Sequence, residues 1–139
     1  MANTLYTNYA NTGLGSGAAH GFPDLDTDDI RCVLTDHGAD TPNPAVDLDR
    51  TDITAGTVAT SGAMTGESIA SGAIDYADFS FSLVVGNQSE SLNWYEHTGD
   101  PDWDALIVYF DTATGLPVTP SGGDIRVKLH ASGLFTIGA

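Results

Sequence analysis

Positive charge is the scarcest property of this 139-residue sequence: Arg31, Arg50, Arg126 and Lys128 stand against 19 acidic residues, a formal net charge of −15. A phosphate backbone or an anionic membrane must be met by clustered Lys and Arg, so neither nucleic acid nor membrane is an expected partner. Cysteine is almost absent too. Cys32 stands alone, which excludes an intrachain disulfide, and its apolar neighbours point to a buried structural thiol rather than an activated nucleophile. The longest continuous apolar run is Ala105–Phe110, far short of the roughly 20 residues a membrane-spanning helix needs. Met1–Tyr6 has neither a basic n-region nor an apolar h-region, so a signal peptide is not expected. His20, His37, His97 and His130 form no HxH or HxxxH pair, and close spacing is what zinc sites want. There is no fixed-period internal repeat.

What the chain has in abundance is Asp, Gly, Ser and Thr. Sixteen of the acids are Asp. Short, well-hydrated carboxylates keep a chain soluble and repel its copies at low salt, an effect that fades as salt screens it. The length is that of one domain able to bury a core without staples.

Apolar alternation has the strand period of two wherever it is readable. Ile30, Cys32 and Leu34 alternate with Arg31, Val33 and Thr35. Phe79, Phe81, Leu83 and Val85 alternate with Ser80, Ser82 and Val84 up to the stop at Gly86-Asn87. Leu92, Trp94 and Tyr95 mark a further strand, residues 105–111 one that is apolar on both faces, and Ile125, Val127 and Leu129 another. Residues 134–137 close the chain. Between Thr51 and Asp78, Gly56, Gly62, Gly66 and Gly72 are too dense for helices, which leaves short strands with tight turns or bulges. The expected fold is all-β, a single-domain antiparallel β-sandwich or barrel over residues 23–139. Residues 1–22, small, polar and Gly-rich, are expected to be a flexible N-terminal arm, removable without unfolding the domain.

Three Asp patches invite a metal reading. Asp24, Asp26 and Asp28 start like an EF-hand loop, but the sixth position, which requires Gly, is Asp29, and the twelfth, which requires Glu, is Thr35. Asp100, Asp102 and Asp104 repeat the spacing, again without the downstream ligand, and Asp47, Asp49 and Asp52 are a looser cluster. Solvated turns are the plainer explanation, and no metal or cofactor site is assigned. Gly13, Gly15 and Gly17 follow no strand and precede no Lys, so they are not a phosphate loop. No serine sits in a nucleophile elbow, and no catalytic residue is assigned. Trp94, Tyr95 and Tyr109 are expected in the core. Trp103, between Asp102 and Asp104, is expected at the surface.

Four stretches carry a resemblance. They are Asp24–Asp36 with Thr41-Pro42-Asn43; Val58–Gly66 with Asp75–Phe81; Thr98-Gly99-Asp100 with Leu106–Asp111; and Thr114–Ile125, the most distinctive. Together they resemble a family of small virion proteins of tailed bacterial viruses. The resemblance implies a non-enzymatic structural component of the particle, of which some similar members are capsid cement or decoration. A capsid decoration protein on the shell exterior follows as the expected function, with the major capsid protein as partner and a homo-oligomer on the capsid lattice. An acidic subunit facing packaged DNA would be repelled, whereas one facing the medium is solvated. A tail, neck or fibre-base position is the alternative among virion proteins. A Ca²⁺- or carbohydrate-binding β-module is the alternative of another class, resting on the Asp patches and Trp103, and a small hydrolase is the most distant.

Overall fold

Strand β2 (Ile30–Thr35) shows how the sequence becomes a sheet. Its residues alternate between two faces, and both are covered, so Ile30, Cys32, Val33 and Leu34 are all buried. In the computed structural model, which describes residues 3–13, 23–70, 73–129 and 135–138, β2 pairs with β7 (Ser91–Glu96) on one side. On the other it pairs with β3 (Thr57–Thr60). Beyond β7 lie β8 (Leu106–Phe110) and then β1 (Thr4–Leu5), completing a five-stranded sheet in the order β1-β8-β7-β2-β3. A hairpin of β4 (Ser68–Ala70) and β5 (Ala73–Asp75) forms a separate pair. The second sheet holds β6 (Phe79–Phe81), β9 (Ile125–Leu129) and β10 (Phe135–Gly138) in the order β10-β9-β6. Every ladder is antiparallel. The sheets stay open and stack, which resolves sandwich or barrel in favour of the sandwich.

Two apolar layers result. Ile30, Cys32, Leu34, Leu92 and Trp94 of the large sheet pack against Phe81, Ile125 and Val127 of the small one. Phe79 and Phe110 meet the Trp94 ring edge to face, with centroids 6.2 and 5.4 Å away. On the opposite face of the large sheet, Val33, Tyr95, Leu106 and Tyr109 are covered by Tyr6 and Ile53.

Tyr6 corrects the expected arm. Residues 3–13 are part of the domain: Thr4 and Leu5 pair with Tyr109 and Val108, the Tyr6 amide donates to Ile107 O at 2.9 Å, and helix α1 (Thr7–Gly13) follows. Asn3 reinforces the join, its side-chain oxygen accepting the Asp111 and Thr112 amides. The physical reason is Tyr6 itself, fully buried in the second layer. The rest of the expected arm, residues 14–22, lies outside the described residues.

Two other expectations need correcting. Residues Arg50–Gly56 form a 3₁₀ turn, capped reciprocally by Asp49 and Asp52. The glycines did not forbid it, because the first of them ends it. Gly56 also permits a close approach: a Cβ there would stand 2.8 Å from Thr35 Cγ2. The alternation from Phe79 to Val85 breaks at Leu83, whose φ is +49°, and its phase shifts by one residue while the segment stays beside residues 122–125. Val84 is consequently buried, while Leu83 and Val85 are 74 % and 71 % exposed.

Candidate functional site

The Asp patches are built from short side chains beside turns, and the structure shows what they do there. Asp24 accepts the Asp26 amide at 3.0 Å, and Asp28 accepts the Asp24 amide at 2.8 Å. Asp47 accepts from Asn43 N, Asp49 from Thr51 N and Asp52 from Leu48 N. Asp100 takes the Asp102 amide, and buried Asp104 takes both the amide and the hydroxyl of Thr98 at 2.7 Å. Asp36, Asp75, Asp78 and Asp124 do the same for Gly38, Tyr76, Leu129 and Leu83. Among the described residues, eleven Asp side chains thus accept a backbone N–H of this chain. Most of these bonds are local and fix turns from within, as Asx turns and caps do, whereas those of Asp78 and Asp124 tie together segments 51 and 41 residues apart. Among the described residues, no three His, Cys, Asp or Glu side chains gather in a metal-holding arrangement.

A polar cluster lies within the second apolar layer. Tyr6 Oη donates to Asn93 Oδ1 at 2.6 Å, and Asn93 Nδ2 donates to Thr35 Oγ1 and Ser91 Oγ at 3.1 and 3.2 Å. Ser91 Oγ also meets His37 Nε2 at 2.9 Å, and the imidazole stacks on Tyr109. Burial and the nearby Asp47 carboxylate push the Tyr6 phenol far above its ordinary range, so it stays a donor at any working pH.

A Ser–His contact of this kind is half of a nucleophilic dyad. Here the hydroxyl is fully buried and already bonded to Asn93, so no substrate carbonyl reaches it. Its arrangement suits a structural network. His97 is elsewhere, its Nδ1 3.5 Å from Asp104 Oδ2. His20, His130, Gly15 and Gly17 lie outside the described residues, and Gly13 ends α1. Cys32 is wholly buried, and burial pushes its thiol well above the ordinary range, the opposite of activation.

An apolar cavity of about 290 Å³ opens where β8, β7 and the β5 end meet, lined by Leu25, Ile74, Tyr76, Trp94, Val108 and Phe110 among others. That is at the small end of the range for ligand pockets. The Tyr76 hydroxyl at its wall donates to Leu25 O at 2.7 Å, so it ties the wall together.

Among the described residues, the exposed large apolar side chains are Leu5, Val46, Ile69, Leu83, Val85 and Trp103. Trp103 is 56 % exposed on the Asp100–Asp104 turn, at the surface as its sequence setting implies. Leu83 and Val85 form the second exposed feature, and strand alternation had placed them inside. Between them Val84 is clamped to the Gly122-Gly123 stop: Val84 N–H donates to Gly123 O at 2.9 Å and Gly122 N–H to Val84 O at 2.8 Å. In comparison with known proteins, no family model and no curated protein matches this chain.

Proposed function

We propose that this chain is a non-enzymatic structural subunit of a tailed-virus particle, a decoration protein on the capsid exterior that bridges and stabilises major capsid subunits. The observation that carries the structural half of this reading is how the chemically capable side chains are engaged. Eleven Asp carboxylates, Ser91 and His37 are bonded within the fold. Among the described residues, the features offered to a partner are shape, charge and a few exposed apolar side chains. The virion half rests on the four resembling stretches.

The most distinctive of them, Thr114–Ile125, supplies fold-making parts in this chain. Val118 is buried and bridges Ser89, Asp124 holds the Leu83 amide, and Ile125 enters the core. The net charge of −15 favours the outer surface, because packaged DNA repels a polyanion.

The test is to locate the protein in a density map of purified particles and to count it there. Copies spread over the shell exterior are expected. A single small ring at a neck or tail would replace the capsid assignment, and absence from particles would overturn the reading altogether.

A further inference from the structure

Three stretches of this strongly acidic chain carry no charged side chain: residues 53–66, 79–89 and 112–123. Far apart in sequence, they converge in the fold. Ser89 and Val118 exchange backbone hydrogen bonds at 2.9 Å, and Val84 is clamped to Gly122 and Gly123. The turn at Gly86 lies against β3, where a Cβ on Gly86 would stand 3.4 Å from Val58 Cγ1. The result is one uncharged face that includes β3, an edge strand of the large sheet among the described residues. Charges stand at its border and are bonded into the fold: Asp124 to Leu83 N, Asp36 to Asn87 Nδ2, and Glu90 to His37 N.

At the summit of this face stand Leu83 and Val85, with Leu83 held at positive φ, a conformation a bulky residue rarely adopts. Strain that exposes rather than buries an apolar side chain is not explained by the stability of the monomer. Depletion of charge around exposed apolar residues is the composition of an interface core. The β3 edge likewise lacks the Lys, Pro or inward charge that blunts edges, although its register slips once between Leu34 and Thr35.

Charge decides the occupant. A cationic partner would be met best by the acidic surfaces, whereas a neutral face spares an acidic partner the like-charge repulsion it meets elsewhere on this chain. The acidic partner at hand is another copy of the same chain. We propose that two copies of this protein meet through this neutral face, with Leu83 and Val85 of each at the centre of a two-fold contact. This deepens the decoration reading by naming how neighbouring subunits touch. It is tested on the isolated protein, so its failure is distinct from absence on particles.

Oligomer mass of the full chain is measured by analytical ultracentrifugation from about 0.05 to about 1 M NaCl, over which the screening length falls from more than 10 Å to about 3 Å. Dimers that strengthen with salt are expected, since the acidic flanks repel until screened. Val85→Asp introduces its charge twice in a two-fold contact and is expected to weaken association roughly ten-fold or more. Leu83→Gly removes the side chain while relieving the positive φ, so association weakens and the melting temperature holds. Val46→Asp adds the same charge at an exposed site in the loop that receives Thr7 N–H, beside the opposite edge strand, and leaves the mass unchanged. A wild-type protein monomeric at every salt overturns the proposal. So does a Val46→Asp effect equal to that of Val85→Asp, or wild-type mass retained by both face variants.

Discussion

Replacing Tyr6 by Phe deletes one oxygen atom and leaves the ring where it packs, against Val33, Ile53, Tyr95, Leu106 and Tyr109. The lost atom is the donor to Asn93 Oδ1 at 2.6 Å, and Asn93 is fully buried. No solvent replaces the donor there, so the variant strands a buried acceptor. Stranding such a group costs about 1–3 kcal/mol, more than the 0.5–1.5 kcal/mol net worth of an ordinary hydrogen bond. Tyr6→Ala also empties the ring site, for a total of about 4–8 kcal/mol, a large share of the ~5–15 kcal/mol that holds a domain of this kind together. Urea unfolding followed by tryptophan fluorescence measures both, with the slope of the transition as a control on compactness. A thermal scan gives the same ordering, at about 2–4 °C per kcal/mol. If Tyr6→Phe loses less than about 0.5 kcal/mol, below the range for a stranded acceptor, residues 3–13 do not belong to the core as described.

Phe81, fully buried between the sheets, is expected to cost about 3–5 kcal/mol when changed to Ala; a loss below about 1 kcal/mol in the same urea assay would remove it from the core. Cys32 is expected to resist a thiol reagent in the native protein and to react on unfolding, so rapid native labelling would contradict its burial. Arg31 donates to Asp29 through Nε at 3.0 Å and Nη2 at 2.8 Å, which holds the Asp29 carboxyl below its ordinary range. Because the unfolded chain then binds the proton more readily, this contribution is present above the ordinary Asp range near 4 and lost as pH falls through the folded value. The stability gap between wild type and Asp29→Asn, below about 1 kcal/mol for a pair this exposed, should therefore shrink in acid, and a gap that widens would refute the assignment.

The strands that the sequence made legible are those whose apolar residues alternate, whether one face is wet, as in β9, or both are covered, as in β2. In β9, Ile125 and Val127 are buried while Arg126 and Lys128 are exposed, and β2 declares itself by alternation before any fold is known. Elsewhere the deciding contacts are too distant to read. Leu83 turns outward because Asp124, 41 residues later, holds its amide. Tyr6 hides in a Thr- and Asn-rich context, and its docking depends on Ile107 and Asn93. Buried Ser91 and Asn93 look like surface residues until Thr35, His37 and Tyr6 are beside them. The Asp spacings were readable as turns. That their oxygens point back at the chain was not, because the same spacing serves a cation equally well.

The aspartate-bonded turns have a consequence for how this protein can change. What each turn needs is an oxygen at a set reach, and asparagine offers one at the same reach without the charge. Glutamate keeps the charge but carries the oxygen a methylene too far. Substitution tolerance at positions such as Asp24, Asp47 and Asp100 should thus run against charge conservation, with amide accepted and longer acid rejected. The polyanionic character is in that sense detachable from the architecture: amide substitutions at the turns would drain most of it while every strand kept its register. Folding thus draws on the geometry of these acids, and their charge is left to act on the medium around the chain.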